Sequence, residues 1–229
     1  MKIAVLGTGQ VGRILAGRLA GLGHDVVIGT RDPDATLARF DPDGMGRPPY
    51  AQWNAEHPEV RLLAFPDAGA HGEVVLNATN GRNALAALDA VGAEHLAGKV
   101  LLDLALPLDL SQGFPPEMTI ANTDSLGERT QTAFPDSKVV KSLTTVYCEV
   151  MVDPTRVPGQ HSIFVAGNDN AAKETVAGLL QQFGWSADSV LDLGDISGAR
   201  GAEMYSRLFF ELYNRFGTFD FNINVVRRR

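Results

Sequence analysis

Residues 2–32 read KIAVLGTGQVGRILAGRLAGLGHDVVIGTRD. The first five are almost continuously apolar and include the β-branched Ile3 and Val5, the pattern of a short strand buried on both faces, and Gly7 breaks it. From Val11 onward the apolar positions Ile14, Leu15, Leu19 and Leu22 recur at helical spacing, Gly23 stops the helix, and residues 26–28 start a second strand. The stretch is a βαβ unit, and Gly7, Gly9 and Gly12 place the pattern G-x-G-x-x-G at its first turn.

With 24 glycines in 229 residues, that spacing would arise by chance about a quarter of a time, so its context carries the reading. Behind a buried strand and ahead of an amphipathic helix it is the dinucleotide fingerprint. Gly7 permits the tight turn, Gly9 removes a side chain where a pyrophosphate approaches backbone, and Gly12 lets helix and strand pack closely. Free N–H groups and the helix dipole then meet the phosphates.

A site for NAD carries an acid at the end of the second strand, where it binds the ribose 2′-hydroxyl. This chain has Gly29, Thr30 and Arg31 there. A guanidinium fork and a threonine hydroxyl suit a 2′-phosphate, with Gly29 leaving room, so the cofactor expected is NADP. Asp32 is the competing partner for Arg31.

Further along, strands are expected at residues 61–65, 74–77, 100–106 and 139–143. A short helix is expected at 50–57 and another at 84–91, and a capping box at Ser125 and Glu128 opens a third helix. Strands separated by crossovers imply a mostly parallel sheet with helices on both faces. After about residue 145 the order becomes strand (162–165), helix (171–183), strand (190–193), long helix (199–216) and terminal strand (219–226). The expected architecture is α/β, a doubly wound parallel sheet in residues 1–145 followed by a smaller α/β domain in 146–229. Tyr205, Phe209, Phe210, Tyr213 and Phe216 form an aromatic band on the long helix, read first as core packing.

A net charge of -7 argues against nucleic acid or an anionic membrane as partner. Cys148 is the single cysteine, which excludes an internal disulfide and points to a reducing cytoplasm. The N-terminal apolar run is too short for a signal peptide or a membrane span. His24, His57, His71, His95 and His161 show no i, i+4 pair and read as surface or capping residues, so no metal is expected. In a doubly wound sheet the substrate meets the cofactor beyond the carboxyl ends of the strands, here residues 77–83, 104–109 and 142–147. Hydride transfer needs no enzymic nucleophile, only two rings held in register.

The opening stretch, GKVLLDLALPLD (98–109), FPPEMTIANTDSLGERTQTAFPDSKVVKSL (114–143), SIFVAGNDNAAKETVAGLLQQFGW (162–185) and VLDLGDISGARGAEMY (190–205) together resemble the NADPH-dependent coenzyme F420 reductases and their bacterial relatives. The resemblance runs over nearly the whole chain. It implies a Rossmann domain with a small C-terminal α/β domain, NADP at the glycine turn, and coenzyme F420 or a flavin as acceptor in the cleft. It also implies that Thr8, Gly9, Gln10 and Val11 contact the pyrophosphate and Thr30 with Arg31 the 2′-phosphate. Ala78, Thr79, Asn80, Leu106 and Pro107 line the nicotinamide end, Thr144 and Tyr147 face the acceptor, and a homodimer is plausible. Two alternatives stay open: an imine or carbonyl reductase with Tyr147 as proton donor, and a non-catalytic NADP sensor.

Overall fold

The computed structural model describes residues 1–42 and 46–228. Among them the first strand, β1 (Lys2–Leu6), leads through helix α1 (Gln10–Gly21) to β2 (Asp25–Thr30). Short helices α2 (Pro33–Leu37) and α3 (Tyr50–Glu56) precede β3 (Arg61–Ala64), and α4 (Phe65–His71) precedes β4 (Val74–Asn77). Then come α5 (Ala84–Val91), α6 (Ala93–Leu96) and β5 (Val100–Asp103). A small hairpin, β6 (Leu108–Asp109) with β7 (Glu117–Met118), and α7 (Leu126–Ala133) lead to β8 (Lys138–Ser142). The chain ends with α8 (Cys148–Val152), β9 (Ile163–Gly167), α9 (Asn170–Phe183), β10 (Val190–Asp192) and α10 (Ala199–Phe216).

Eight of the described strands form one sheet in the order β10-β9-β8-β5-β4-β1-β2-β3. All neighbours are parallel except β8 with β9. From β1 the chain first winds outward to β2 and β3, then returns to β4 and winds the other way through β5 to β8. The order therefore reverses between β1 and β4, which opens a crevice at their carboxyl ends.

Both faces of the sheet are covered, which explains why its central strands read as unbroken apolar runs. On one face Leu15 and Leu19 of α1 share a core with Val176, Leu179 and Phe183 of α9. On the other, Phe65 and Ala68 of α4, Leu88 and Val91 of α5 and Phe134 pack on Leu6, Val75 and Leu101. The glycine at position 29 belongs to this second core: a Cβ there would lie 2.9 Å from both Ala68 Cβ and Leu6 Cδ2. Gly29 thus makes room for α4, which corrects the expectation that it makes room for a phosphate.

Strand β9 pairs with β8 through Val140 and Gly167, and β10 lies beyond it. Residues 1–145 and 146–229 thus share one sheet and, through α1 and α9, one core. The terminal strand expected at 219–226 does not form. That segment is tied down by a single backbone bond, from Ser162 N–H to Ile223 O at 2.8 Å, and by side chains, among them Asn222 and the Arg156–Asp220 pair. Half of the expected capping box forms: Ser125 Oγ accepts from Glu128 N–H at 3.1 Å, but Ser125 N–H donates to Asp124 Oδ1 at 2.8 Å, and the Glu128 carboxylate takes the Ser125 hydroxyl instead, at 2.7 Å. None of the described helices is long and apolar enough to cross a membrane.

Candidate functional site

The three glycines of the first turn have three different causes. Gly7 adopts φ +111, and a Cβ there would lie 2.9 Å from Ala78 O in the loop after β4. A Cβ on Gly12 would fall 2.1 Å from Gly7 O, inside the turn itself. Gly9 differs: its φ is -71, ordinary for any residue, and a Cβ would meet nothing within 4 Å. The fold itself sets no requirement for glycine at position 9.

Gly9 is the N-cap of α1; among the described residues no side chain caps it, and the first turn carries no acid. A cleft of about 740 Å³ opens over it, lined by Thr8, Gly9, Arg13, Thr36, Arg39, Phe40, Pro48 and Tyr50 among others. Arg13 is anchored by donating to Pro48 O at 2.7 Å, which ties Pro48 to α1. Open space above a bare helix N-terminus, with cations on its walls, fits a dinucleotide diphosphate. Asp41 also lines the cleft.

At the end of β2, Thr36 Oγ1 donates to Asp32 O at 2.7 Å, so its contact with Thr30 Oγ1 at 3.0 Å requires Thr30 to be the donor. The Thr30 proton is thereby committed inside the protein. Asp32 caps α2, accepting from Ala35 N–H at 2.9 Å, and no described ion pair joins it to Arg31. Arg31 is exposed and lies outside the cleft lining, where Arg13 and Arg39 stand. Neither of those two was singled out from the sequence, because both sit outside the fingerprint.

The loop after β4 abuts the glycine turn. Ala78 N–H donates to Leu6 O at 3.0 Å, and the N–H and hydroxyl of Thr79 both donate to Asn77 Oδ1, at 3.3 and 2.6 Å. Asn80 caps a single 3-10 turn by accepting from Arg82 N–H at 3.0 Å. Leu106 and Pro107 lie against the same loop: a Cβ on Gly81 would come within 1.9 Å of Leu106 O. Ala78, Thr79, Asn80, Leu106 and Pro107 are thus gathered against the glycine turn, outside the lining of the cleft over Gly9.

Thr144 follows Leu143, whose φ of +64 is rare outside glycine, and it is buried. Tyr147 is half-buried, and its hydroxyl accepts from Gln10 Nε2 at 2.8 Å. Burial raises the Tyr147 pKa above the ordinary phenol value, against the lowering effect of Gln10. Its ring stacks on Phe219 (4.4 Å, 10°), which stacks in turn on Tyr213 (3.9 Å, 11°). Two rings this close and parallel to Phe219 must lie on its opposite faces. The aromatic band of α10 therefore packs partly against the C-terminal segment, while Phe216 remains exposed.

A buried polar row lies beneath these loops, and it too escaped the sequence reading. Asn77, Asp103 and Lys141 are register partners on the adjacent strands β4, β5 and β8. Asn77 Nδ2 donates to Asp103 Oδ1 at 2.9 Å, and Lys141 Nζ meets Asp103 Oδ2 at 2.8 Å and Glu203 Oε1 at 2.9 Å. Lys141 also donates to Ala105 O. Glu203, on α10, accepts from the N–H groups of Leu126 and Gly127 at the start of α7. Desolvation, the largest influence on Lys141, pulls its pKa down, and the two carboxylates outweigh it, so the ammonium is held above its ordinary value. Charges inside VLLD and KVVKS, otherwise apolar strand segments, were the available signal.

The histidines lie elsewhere. His57 stacks on Trp53 at 4.2 Å, His24 bonds Gln182 at 2.8 Å, and His71 and His95 pair with Asp25 and Glu94. His161 departs from the surface role expected of it: it is buried, accepts from Asn222 Nδ2 at 2.9 Å and bonds Pro154 O at 3.1 Å. Cys148 is 3% exposed, and burial pushes its thiol up to about 11.

Residues 2–107 match the family model described as NADP oxidoreductase, coenzyme F420-dependent. A crystal structure from Arthrobacter sp. FB24, of a candidate F420-dependent NADP reductase, is 55% identical with a TM-score of 0.94, covering 99% of this chain and 100% of that one. The F420-dependent NADP reductase of Methanothermobacter marburgensis is 27% identical over 218 residues, 93% of this chain and 92% of that protein. Metalloreductase STEAP3 of Rattus norvegicus is 26% identical over 202 residues, 88% of this chain, so the chain spans only 36% of that protein's length. Given its near-complete overlap with the Arthrobacter protein, the chain belongs to the coenzyme F420-dependent NADP oxidoreductases.

Proposed function

We propose that this oxidoreductase moves hydride between NADPH and coenzyme F420. The observation that carries the reading is Gly9, a glycine the fold does not require, exposed over the bare N-terminus of α1 in a large cleft. The pyrophosphate would lie on the turn formed by Gly7, Thr8, Gly9, Gln10, Val11 and Gly12. The 2′-phosphate would be met by Arg31 beside Thr30, with Arg39 as a second cation. Ala78, Thr79, Asn80, Leu106 and Pro107 would hold the nicotinamide end, with Thr144 and Tyr147 on the acceptor side.

Bound NADPH would supply the hydride, and the chain's own residues bind, orient and exclude water. The acceptor is supported by the family description and by the names of the Arthrobacter and Methanothermobacter relatives. A homodimer and a cytoplasmic setting belong to the same reading. Leu110, Phe114, Leu208 and Phe216, on α10 and around the hairpin, are exposed apolar side chains that a dimer would cover.

The experiment mixes protein, NADPH and coenzyme F420 and follows the visible absorbance of the deazaflavin, with FMN in a parallel cuvette. Bleaching of F420 matched by NADPH oxidation, faster than with FMN, is the expected result. Oxidation with FMN alone would reassign the acceptor, and tight NADPH binding without oxidation by either would remove the proposed reaction.

A further inference from the structure

We propose that Lys141 is a positioning residue for the nicotinamide end, acting through Asp103 and Asn77 on Thr79 and through Ala105 on the neighbouring loop. The inference rests on the reading that NADP occupies the cleft. Thr79 directs two donors at one oxygen, Asn77 Oδ1. A carboxamide can turn about its last torsion and exchange oxygen for nitrogen. Asp103 Oδ1, which can only accept when ionised, fixes which way it points. Reversed, the amide would set NH₂ against the Thr79 donors and its oxygen against a carboxylate.

Asp103 is itself held from two sides. Its Oδ1 also accepts from Ala105 N–H at 3.2 Å, and its Oδ2 pairs with Lys141. The ammonium has three protons and three acceptors: Asp103 Oδ2, Glu203 Oε1 and Ala105 O. Lys141 and Asp103 thus hold both the carbonyl and the N–H of Ala105, directly before Leu106 and Pro107. The two loops assigned to the nicotinamide end are gripped by one set of side chains, and Gly81 shows that they touch.

The Lys141 and Asp103 side chains are 0% exposed and that of Glu203 1%. A buried ionic group of this kind is often no more stabilising than an apolar replacement, and the role assigned to it here is to hold one geometry. Glu203 extends that geometry to α10, so the helix carrying Tyr213 is tied to the loop carrying Thr79.

The test compares two ligands, 2′,5′-ADP, which lacks the nicotinamide, and NADPH, whose reduced ring fluoresces. Lys141→Met removes the ammonium at similar volume. Asn77→Ser cuts the last link while leaving both ion pairs of Lys141 in place, and it carries the test should Lys141→Met fail to fold. In the folded variants the Kd for 2′,5′-ADP is expected to stay within about twofold of wild type, while that for NADPH rises about tenfold, as for one lost charge-assisted contact. The fluorescence anisotropy of bound NADPH is expected to fall.

Equal weakening of both ligands in Asn77→Ser, or an unchanged anisotropy, would overturn the assignment. Neither readout involves an acceptor, so an inert F420 assay would count against the acceptor alone. A wild-type protein that binds neither ligand would overturn the NADP reading, and this inference with it.

Discussion

Gln10 and Tyr147 stand 137 positions apart in sequence and are joined by a 2.8 Å hydrogen bond from Nε2 to the phenol oxygen. The bond links the first residue of α1, at the glycine turn, to the segment before α8. Tyr147→Phe removes it and keeps the stack on Phe219. The loss expected is about 0.5–1.5 kcal/mol in NADPH affinity, the usual net value of a neutral hydrogen bond. With the phenol pKa raised by burial, kcat should keep its pH profile at and below neutrality. A newly pH-dependent loss of turnover would instead make Tyr147 a proton donor and favour imine or carbonyl reduction.

Gly9→Ala separates folding from binding. The site has room for a methyl group and an ordinary φ, so the thermal midpoint should hold or rise, in line with the ~0.4–1 kcal/mol gained at compatible glycines. NADPH affinity should fall by tenfold or about 1.4 kcal/mol or more, because the methyl occupies the phosphate approach. Calorimetric titration beside a melting curve reads both quantities, and a variant that binds normally would place the pyrophosphate elsewhere.

Arg31→Ala should weaken NADPH by about 1.5–3 kcal/mol and leave NADH nearly unchanged, as for lost hydrogen bonds to a charged group. Arg39→Ala, which removes a cation from the cleft wall, should act in the same direction. Inhibition by 2′-AMP compared with 5′-AMP provides the check. Equal losses for the two cofactors would deny Arg31 its phosphate.

Cys148 should be inert in the native protein. Burial raises its thiol to about 11, so at neutral pH almost none is thiolate, and a disulfide reagent should react only after unfolding. The sign of its pH dependence follows. The unfolded thiol loses its proton first, so the stability contributed by protonated Cys148 is complete below its ordinary pKa and is lost as pH climbs through about 11. Denaturation midpoints that rise over that alkaline range would contradict the assignment.

Much of this molecule was legible because local rules and tertiary needs coincide. Val74–Asn77 and Ala84–Val91 carry unambiguous patterns, and Ser125 with Glu128 capped the helix it announced. Short helices such as α4 and α8 were missed, since five to seven residues cannot display a period. Residues 219–226 are β-prone yet form no strand. Beside β9 they find one backbone partner and then rely on side chains, which no propensity reveals. In the site, the glycines were readable because each answers to local geometry. Asn77, Asp103, Lys141 and Glu203 were not, because their meaning depends on strand register and on a helix some sixty residues beyond β8.

The unbroken hydrogen-bonded sheet from β3 to β10 has a mechanical consequence. Strands from before and after residue 145 are laced into a single ladder, so among the described residues the sheet has no break about which two lobes could swing. If the proposed reaction takes place here, its shielding from water would fall to smaller parts such as the C-terminal segment, which wedges Phe219 between Tyr147 and Tyr213.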